Sequence, residues 1–324
     1  VQIEIGTQSV ASRASRACLR LRTLITELPL HVLPLALQTV NFGTMWASAA
    51  SLGLLSREPL DAAVDDAIAR VQDVCAVIGI LLLALVVARA VLMGGCAFWA
   101  EYCSMKALPM YGAGCMSFFG VAAWLHARDT EPVGLCVAAW VAPIVLMLAG
   151  QVAFGCHVAQ AVRAREPSVS IPQQLWNMGV PPLIIPLVGI SAAAATGGPI
   201  VRQTGASAAA VQVALFGPVA LGGLWALLLT PLLWVKAIRA RTLATQSPSA
   251  ILCAPAGLNL AAWLGALAPA PQDAALRDSW LSHTLAVLVV LLAAPIAVCA
   301  PRYLNPCKAF DLLIVTVGFP LEIG

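Results

Sequence analysis

A chain of 324 residues that is 60% hydrophobic and only 10% charged has too little charge to coat a water-facing surface. Its surface is expected to face lipid, which excludes a cytosolic enzyme, a disordered regulator and a nucleic-acid binder. A net charge of +3 is too small to hold a polyanion, so the 18 Lys and Arg matter through where they fall.

Residues 1–27 carry Arg13, Arg16, Arg20 and Arg22 and lack an apolar core, so they read as a basic N-terminal segment and not as a signal peptide. Residues 28–324 form the membrane domain. Crossing the hydrocarbon takes about 20 mostly apolar residues. Nine segments qualify: Leu28–Leu52, Val71–Met93, Leu108–Leu125, Val133–Val158, Leu175–Thr196, Ala206–Ile238, Pro248–Leu267, Trp280–Cys299 and Ala309–Gly324. Continuous apolar runs of this length are helices, because a membrane barrel would alternate over segments of about ten residues. The fold class is therefore all-α and polytopic. The chain starts at Val1 and stops inside an apolar segment, so a fragment is expected, with a tenth span beyond Gly324.

Twelve of the 18 basic residues lie in the N-terminal segment and in the connections after spans two, four, six and eight. The excess predicts a multi-pass protein of the plasma (cell inner) membrane with a cytoplasmic N-terminus. The short connections leave no room for a nucleotide-binding or catalytic domain, and no GxxxxGK[ST] loop occurs. Function has to lie between the helices.

Proline inside a membrane helix frees a carbonyl and bends the axis. All five odd-numbered spans carry one: Pro34, Pro109, Pro182 (with Pro181 and Pro186), Pro255 and Pro320. The pattern predicts a repeated hairpin whose first helix is bent and lines a central path. Span two has no proline, whereas Pro143, Pro218, Pro231 and Pro295 lie in the other even spans.

Ionisable groups inside spans are few. Arg89 is expected to snorkel from the cytoplasmic end of span two, and Asp73 to be interfacial at its other end. His31 and His157 read as interfacial or packing residues. Asp311 and Glu322 fall in span nine, and a carboxylate in lipid usually faces a cavity or a partner. The ten cysteines include no CxxC pair. Those within apolar runs, Cys75, Cys96, Cys115, Cys136, Cys156, Cys253 and Cys299, read as small packing hydrophobes. No Cys–His spacing fits a metal and no HxxxH pair occurs, so neither a metal, a cofactor nor an enzyme activity is expected.

Several stretches resemble the tellurite-resistance/dicarboxylate transporter family, which includes TehA-type and slow-type anion channels. Leu28-Pro29 and Trp46 resemble its opening span, with Leu35-Ala36-Leu37 where glycines are usual. Glu101-Tyr102 and Ser104 resemble the acidic approach to span three. Pro231, Leu232-Leu233, Lys236 and Arg239 resemble the end of span six, and Ala254-Pro255-Ala256 the kink of span seven. Gly318-Phe319-Pro320-Leu321 resembles the Phe-Pro-Leu/Met segment of span nine. The tryptophan pair that often precedes that segment is replaced by Ile314-Val315.

The resemblance implies ten helices, as five hairpins in quasi-fivefold array around a central pore, in a homotrimer. It implies passage of small inorganic anions or C4-dicarboxylates, with Phe319 as pore gate. Glu322, an acid where such a path would suit a neutral residue, is the candidate proton or selectivity carboxylate. Alternatives are a proton-coupled dicarboxylate, malate or sulfite transporter, and a receptor or scaffold without transport.

Overall fold

A computed structural model of the chain describes residues 18–51, 62–128, 132–164 and 185–239, with Pro255, Leu258, Asn259, Ala262, Trp263, Thr284 and Val287. These residues are all helical, turn or cap, with no strand among them. A short exposed helix, α1, covers residues 18–26. It is followed by α2 (Val32–Ser51), α3 (Ala62–Met93), α4 (Gly95–Tyr102), α5 (Leu108–Ala127) and α6 (Val133–Arg163). The next span, Ile185–Gln203, is broken: a helical turn at 185–188 passes through a 3₁₀ turn, Gly189–Ser191, into α7 (Ala192–Gln203). Last comes α8 (Ala208–Arg239).

Five of these helices are long and apolar enough to cross a membrane: Ala63–Met93, Leu108–Ala127, Val133–Arg163, Ile185–Gln203 and Ala209–Leu232. α2 has the length, at 20 residues, but Gln38, Thr39, Asn41 and Thr44 make it more polar. Spans one to four and six begin or end within a few residues of the sequence expectation, except that α3 starts at Ala62, nine residues before Val71. That extra stretch is polar yet helical, because alanines favour the helix and Arg70 pairs with Asp66 one turn back at 2.6 Å. Span five continues past Thr196 to Gln203. Positions 255, 258, 259, 262 and 263 are helical in span seven, as are 284 and 287 in span eight. Span nine lies outside the described residues.

α4 has no counterpart in the sequence expectation. Gly94, at φ 82°, turns the chain sharply between α3 and α4, a backbone that other residues adopt only under strain. Phe98, Trp99 and Tyr102 of α4 then stack beside Tyr111 of α5, with ring centroids 5.2 to 6.5 Å apart.

Consecutive helices pack as hairpins: α2 with α3, α5 with α6, and α7 with α8. The first members of these hairpins also touch one another in succession, α2 on α5 and α5 on α7. Burial separates the two sets. In their most apolar stretches α5 is 67% buried and Ile185–Gln203 is 72% buried, against 22% for α3, 28% for α6 and 22% for α8. Among the described spans, three and five are inner, and two, four and six present apolar side chains outward.

Contact between layers depends on small residues, as expected where lipid supplies no hydrophobic drive between helices. A Cβ added at Gly222 of α8 would stand 2.0 Å from the Ser191 Oγ and 2.9 Å from the Val188 carbonyl oxygen. One added at Gly197 of α7 would meet the Trp140 ring at 2.4 Å.

Candidate functional site

A cavity of about 290 Å³ opens between the inner helices. Leu37, Asn41 and Thr44 of α2, Met116, Phe119, Trp124 and His126 of α5, and Ala192, Ala195, Thr196 and Pro199 of α7 line it. Leu258 of span seven joins them, so residues of spans one, three, five and seven share one wall, with Gln72 of α3 as the contribution of an even span. Phe119 is fully buried and, with Leu37, Met116 and Leu258, gives the lining its apolar part.

Among the described residues, the polar part of the lining carries no Asp, Glu, Lys or Arg. Asn41 is 6% exposed and its carboxamide has no hydrogen-bond partner among the described residues. The Thr44 hydroxyl donates to the Val40 carbonyl at 3.0 Å and that of Thr196 to the Ala192 carbonyl at 3.2 Å, which leaves their oxygen lone pairs free to accept. Pro199 has no amide to offer the Ala195 carbonyl one turn before it. At the same end of the bundle Arg128 pairs with Asp73, whose carboxylate also accepts the Trp124 Nε1–H at 3.0 Å. The Arg128 guanidinium lies 5.4 Å from the centre of the Trp124 ring. The two charges beside the cavity thus cancel.

The break in span five is held by side chains from its neighbours. Gln151 of α6, 7% exposed, donates from Nε2 to the Leu187 carbonyl at 3.3 Å and accepts the Trp225 Nε1–H of α8 on Oε1 at 3.1 Å. Trp140 donates to the Ala193 carbonyl at 2.7 Å. Ser191 donates to Asn259 Oδ1 at 3.1 Å, and Asn259 Nδ2 donates to the Pro255 carbonyl at 2.8 Å. Irregular backbone at membrane depth needs such partners, since each unsatisfied group would cost several kcal/mol, ~2–7, in an apolar surrounding.

At the opposite end, Arg89 turns inward and does not snorkel. Its guanidinium meets both Glu101 oxygens, at 3.0 and 3.1 Å, and donates to the Tyr111 hydroxyl at 3.3 Å and the Thr26 carbonyl at 3.2 Å. The α4 turn is what brings Glu101 within reach, and that turn is not visible in a hydropathy profile. Tyr102 donates to the Leu146 carbonyl, and burial pushes its phenol above the ordinary range, so it stays a neutral donor.

Of the proline positions expected to bend the inner helices, Pro34 and Pro109 instead start them. Pro34 is the third residue of α2, and Leu30, the carbonyl it could have reached, already accepts the Leu33 amide at 3.0 Å. Pro109 is in the first turn of α5. A first-turn proline removes no helical hydrogen bond, so neither is a kink. Pro255 is helical and buried, and its carbonyl is the one Asn259 bonds. Pro182, Phe319, Pro320 and Glu322 lie outside the described residues. The break falls at Gly189–Ser191, three residues after Pro186 in the preceding helical turn, with Pro199 following it inside α7.

The polar side chains inside the spans include carboxamides as well as ionisable groups. Asn41, Gln151 and Asn259 are three of five buried polar residues among those described, and an amide in mid-span is the signal that could have found them. His157 is a packing residue as expected, donating from Nε2 to the Cys103 carbonyl at 2.8 Å. Cys115 and Cys136 are buried, Cys75 is partly so, and Cys96 and Cys156 are exposed and not packed within the protein. No group of three His, Cys, Asp or Glu that could hold a metal occurs among the described residues.

No protein-family model, curated protein or solved structure matches the chain.

Proposed function

We propose that this chain is an integral membrane anion channel or transporter of the tellurite-resistance/dicarboxylate type. It passes small anions or C4-dicarboxylates along a path between the odd-numbered helices. The observation that carries this reading is the cavity, to which spans one, three, five and seven each contribute, with Gln72 added from span two. No fixed charge occurs among the described residues of the lining, and Ala192 of that lining directly follows the break in span five. The remaining features follow the resemblance: five hairpins about the pore, a homotrimer in the plasma membrane, a cytoplasmic N-terminus and Phe319 as the gate. The chain is not an enzyme in this reading and needs no cofactor.

Reconstitution of the purified chain into vesicles, with flux measured for chloride, nitrate, malate and sulfite, tests the reading. Flux of at least one of these above protein-free vesicles is expected, and its absence for all four overturns transport. Phe319→Ala should raise conductance at unchanged reconstitution density. Equal conductance in the variant and the parent removes the gate assignment and leaves transport standing.

A further inference from the structure

α1 spans nine residues, seven of them exposed, and a helix this short is marginal in water unless one face packs on something. Leu21, Leu24 and Ile25 stand at i, i+3 and i+4 on one stripe, with Leu21 58% and Leu24 68% exposed. Leu28 continues the stripe past the helix end and packs against the core. Leu19, in the first turn, stands off it. Arg20 and Arg22, both exposed, flank Leu21 at about 100° on either side. The Thr23 and Thr26 hydroxyls donate to the carbonyls of Leu19 and Arg22, at 3.0 and 3.1 Å, so the backbone of the helix itself satisfies them.

α1 is tethered at a definite level of the bundle. Arg89 donates to the Thr26 carbonyl at 3.2 Å, one turn before α3 ends at Met93. The outer face of α3 is still apolar there, with Val87 50% and Val91 74% exposed. Trp99 of α4, 46% exposed, adds the kind of amphipathic ring that collects at a membrane–water boundary. α1 therefore leaves the bundle where its lipid-facing surface ends. Charge then selects among lipids. Lys106 and Arg163 are also exposed at this end, where His157 of α6 bonds the Cys103 carbonyl at 2.8 Å. Against these cations stands Glu27, exposed just after α1, while Glu101 is taken by Arg89. Arginines on both flanks of an apolar stripe reach phosphates while their methylene stems lie along acyl chains.

We propose that α1 is an in-plane membrane-surface helix that docks on anionic lipid, with Leu21, Leu24 and Ile25 entering the acyl boundary and Arg20 and Arg22 bonding headgroup phosphates. The inference is independent of what the chain transports.

For the test, the full chain is reconstituted in nanodiscs of phosphatidylcholine alone and of phosphatidylcholine mixed with phosphatidylglycerol. Amide hydrogen exchange over residues 18–27 is read by mass spectrometry. Exchange should be about tenfold slower in the mixed discs, and the difference should shrink at high salt, which screens the charges. Arg20→Gln combined with Arg22→Gln should abolish the lipid dependence. Leu21→Gln combined with Leu24→Gln should make exchange fast in both discs, although glutamine is a good helix former. All four side chains are exposed, so the bundle is expected to persist, and unchanged exchange in α5 verifies it. Equal exchange in the two lipids, or a lipid dependence that survives loss of both arginines, overturns the proposal. Slow exchange in phosphatidylcholine alone, abolished by the leucine variant, assigns the stripe to protein or neutral lipid and overturns the anionic partner. None of these outcomes bears on solute flux, so the transport reading stands or falls separately.

Discussion

Arg89 illustrates how little a side chain's identity says about its role. Placed near the end of an apolar run, it reads as a snorkelling residue, yet its side chain is only 11% exposed and clamps Glu101, itself 21% exposed, against α1 and α5. Removing one partner of such a pair strands the other. Arg89→Met should cost about 3 kcal/mol, and adding Glu101→Gln should recover much of it. Thermal unfolding of the two single variants and the double variant in detergent measures the coupling. Additive losses would mean that the pair contributes nothing beyond its separate contacts. The carboxamides follow the same logic without charge. Gln151 satisfies a free backbone carbonyl on one side and an indole on the other, so its value lies in where the neighbours put their polar atoms.

At the scale of the element, the interrupted span depends on its partners more than on its own sequence. Residues 185–203 change from helix to 3₁₀ and back within one apolar run, and α6, α8 and Asn259 supply the hydrogen bonds that permit it. Gly222 lets α8 approach closely enough to close this arrangement. Gly222→Ala would force Ser191 off Asn259 or push α8 outward, at a cost of about 2 kcal/mol, as for other overpacked cores. The melting temperature in detergent reads the effect. A variant as stable as the parent would show that α8 has room to yield. The prolines mark the limits of residue type as a guide to element shape. Pro34 and Pro109 begin helices, whereas Pro199 sits inside one. The same ring constraint starts a helix in its first turn and removes a hydrogen bond later.

At the scale of the molecule, hairpins pack with their first helix inward. Thiol accessibility tests the layering directly. Cys96 and Cys156 are exposed, while Cys115 and Cys136 are buried among inner contacts. An uncharged, membrane-permeant maleimide should modify the first two in the folded chain and the second two only after denaturation, as read by mass spectrometry. Equal labelling of Cys115 and Cys156 in the folded chain would contradict the inner and outer layers. A weak form of this layering was legible in composition. Over the most apolar stretch of each, mean hydropathy is 1.3 for α5 and 1.2 for Ile185–Gln203, the inner pair, against 2.8, 2.3 and 1.9 for α3, α6 and α8. Helices that face lipid have no reason to carry polar atoms, and those that face one another do.

Residue order alone is enough to place the long helices nearly where they begin and end and to make their outer surface apolar. Those properties follow from the bilayer, which forces every spanning segment to satisfy its own backbone and to present apolar side chains over a fixed length. Tertiary structure alone decided that Asn41, Gln72, Thr196 and Leu258 share one cavity, that Arg89 bonds inward, and that span five can break. Each of these depends on which groups from distant segments meet, and hydropathy averaged along a helix carries no information about which of its faces meets protein and which meets lipid.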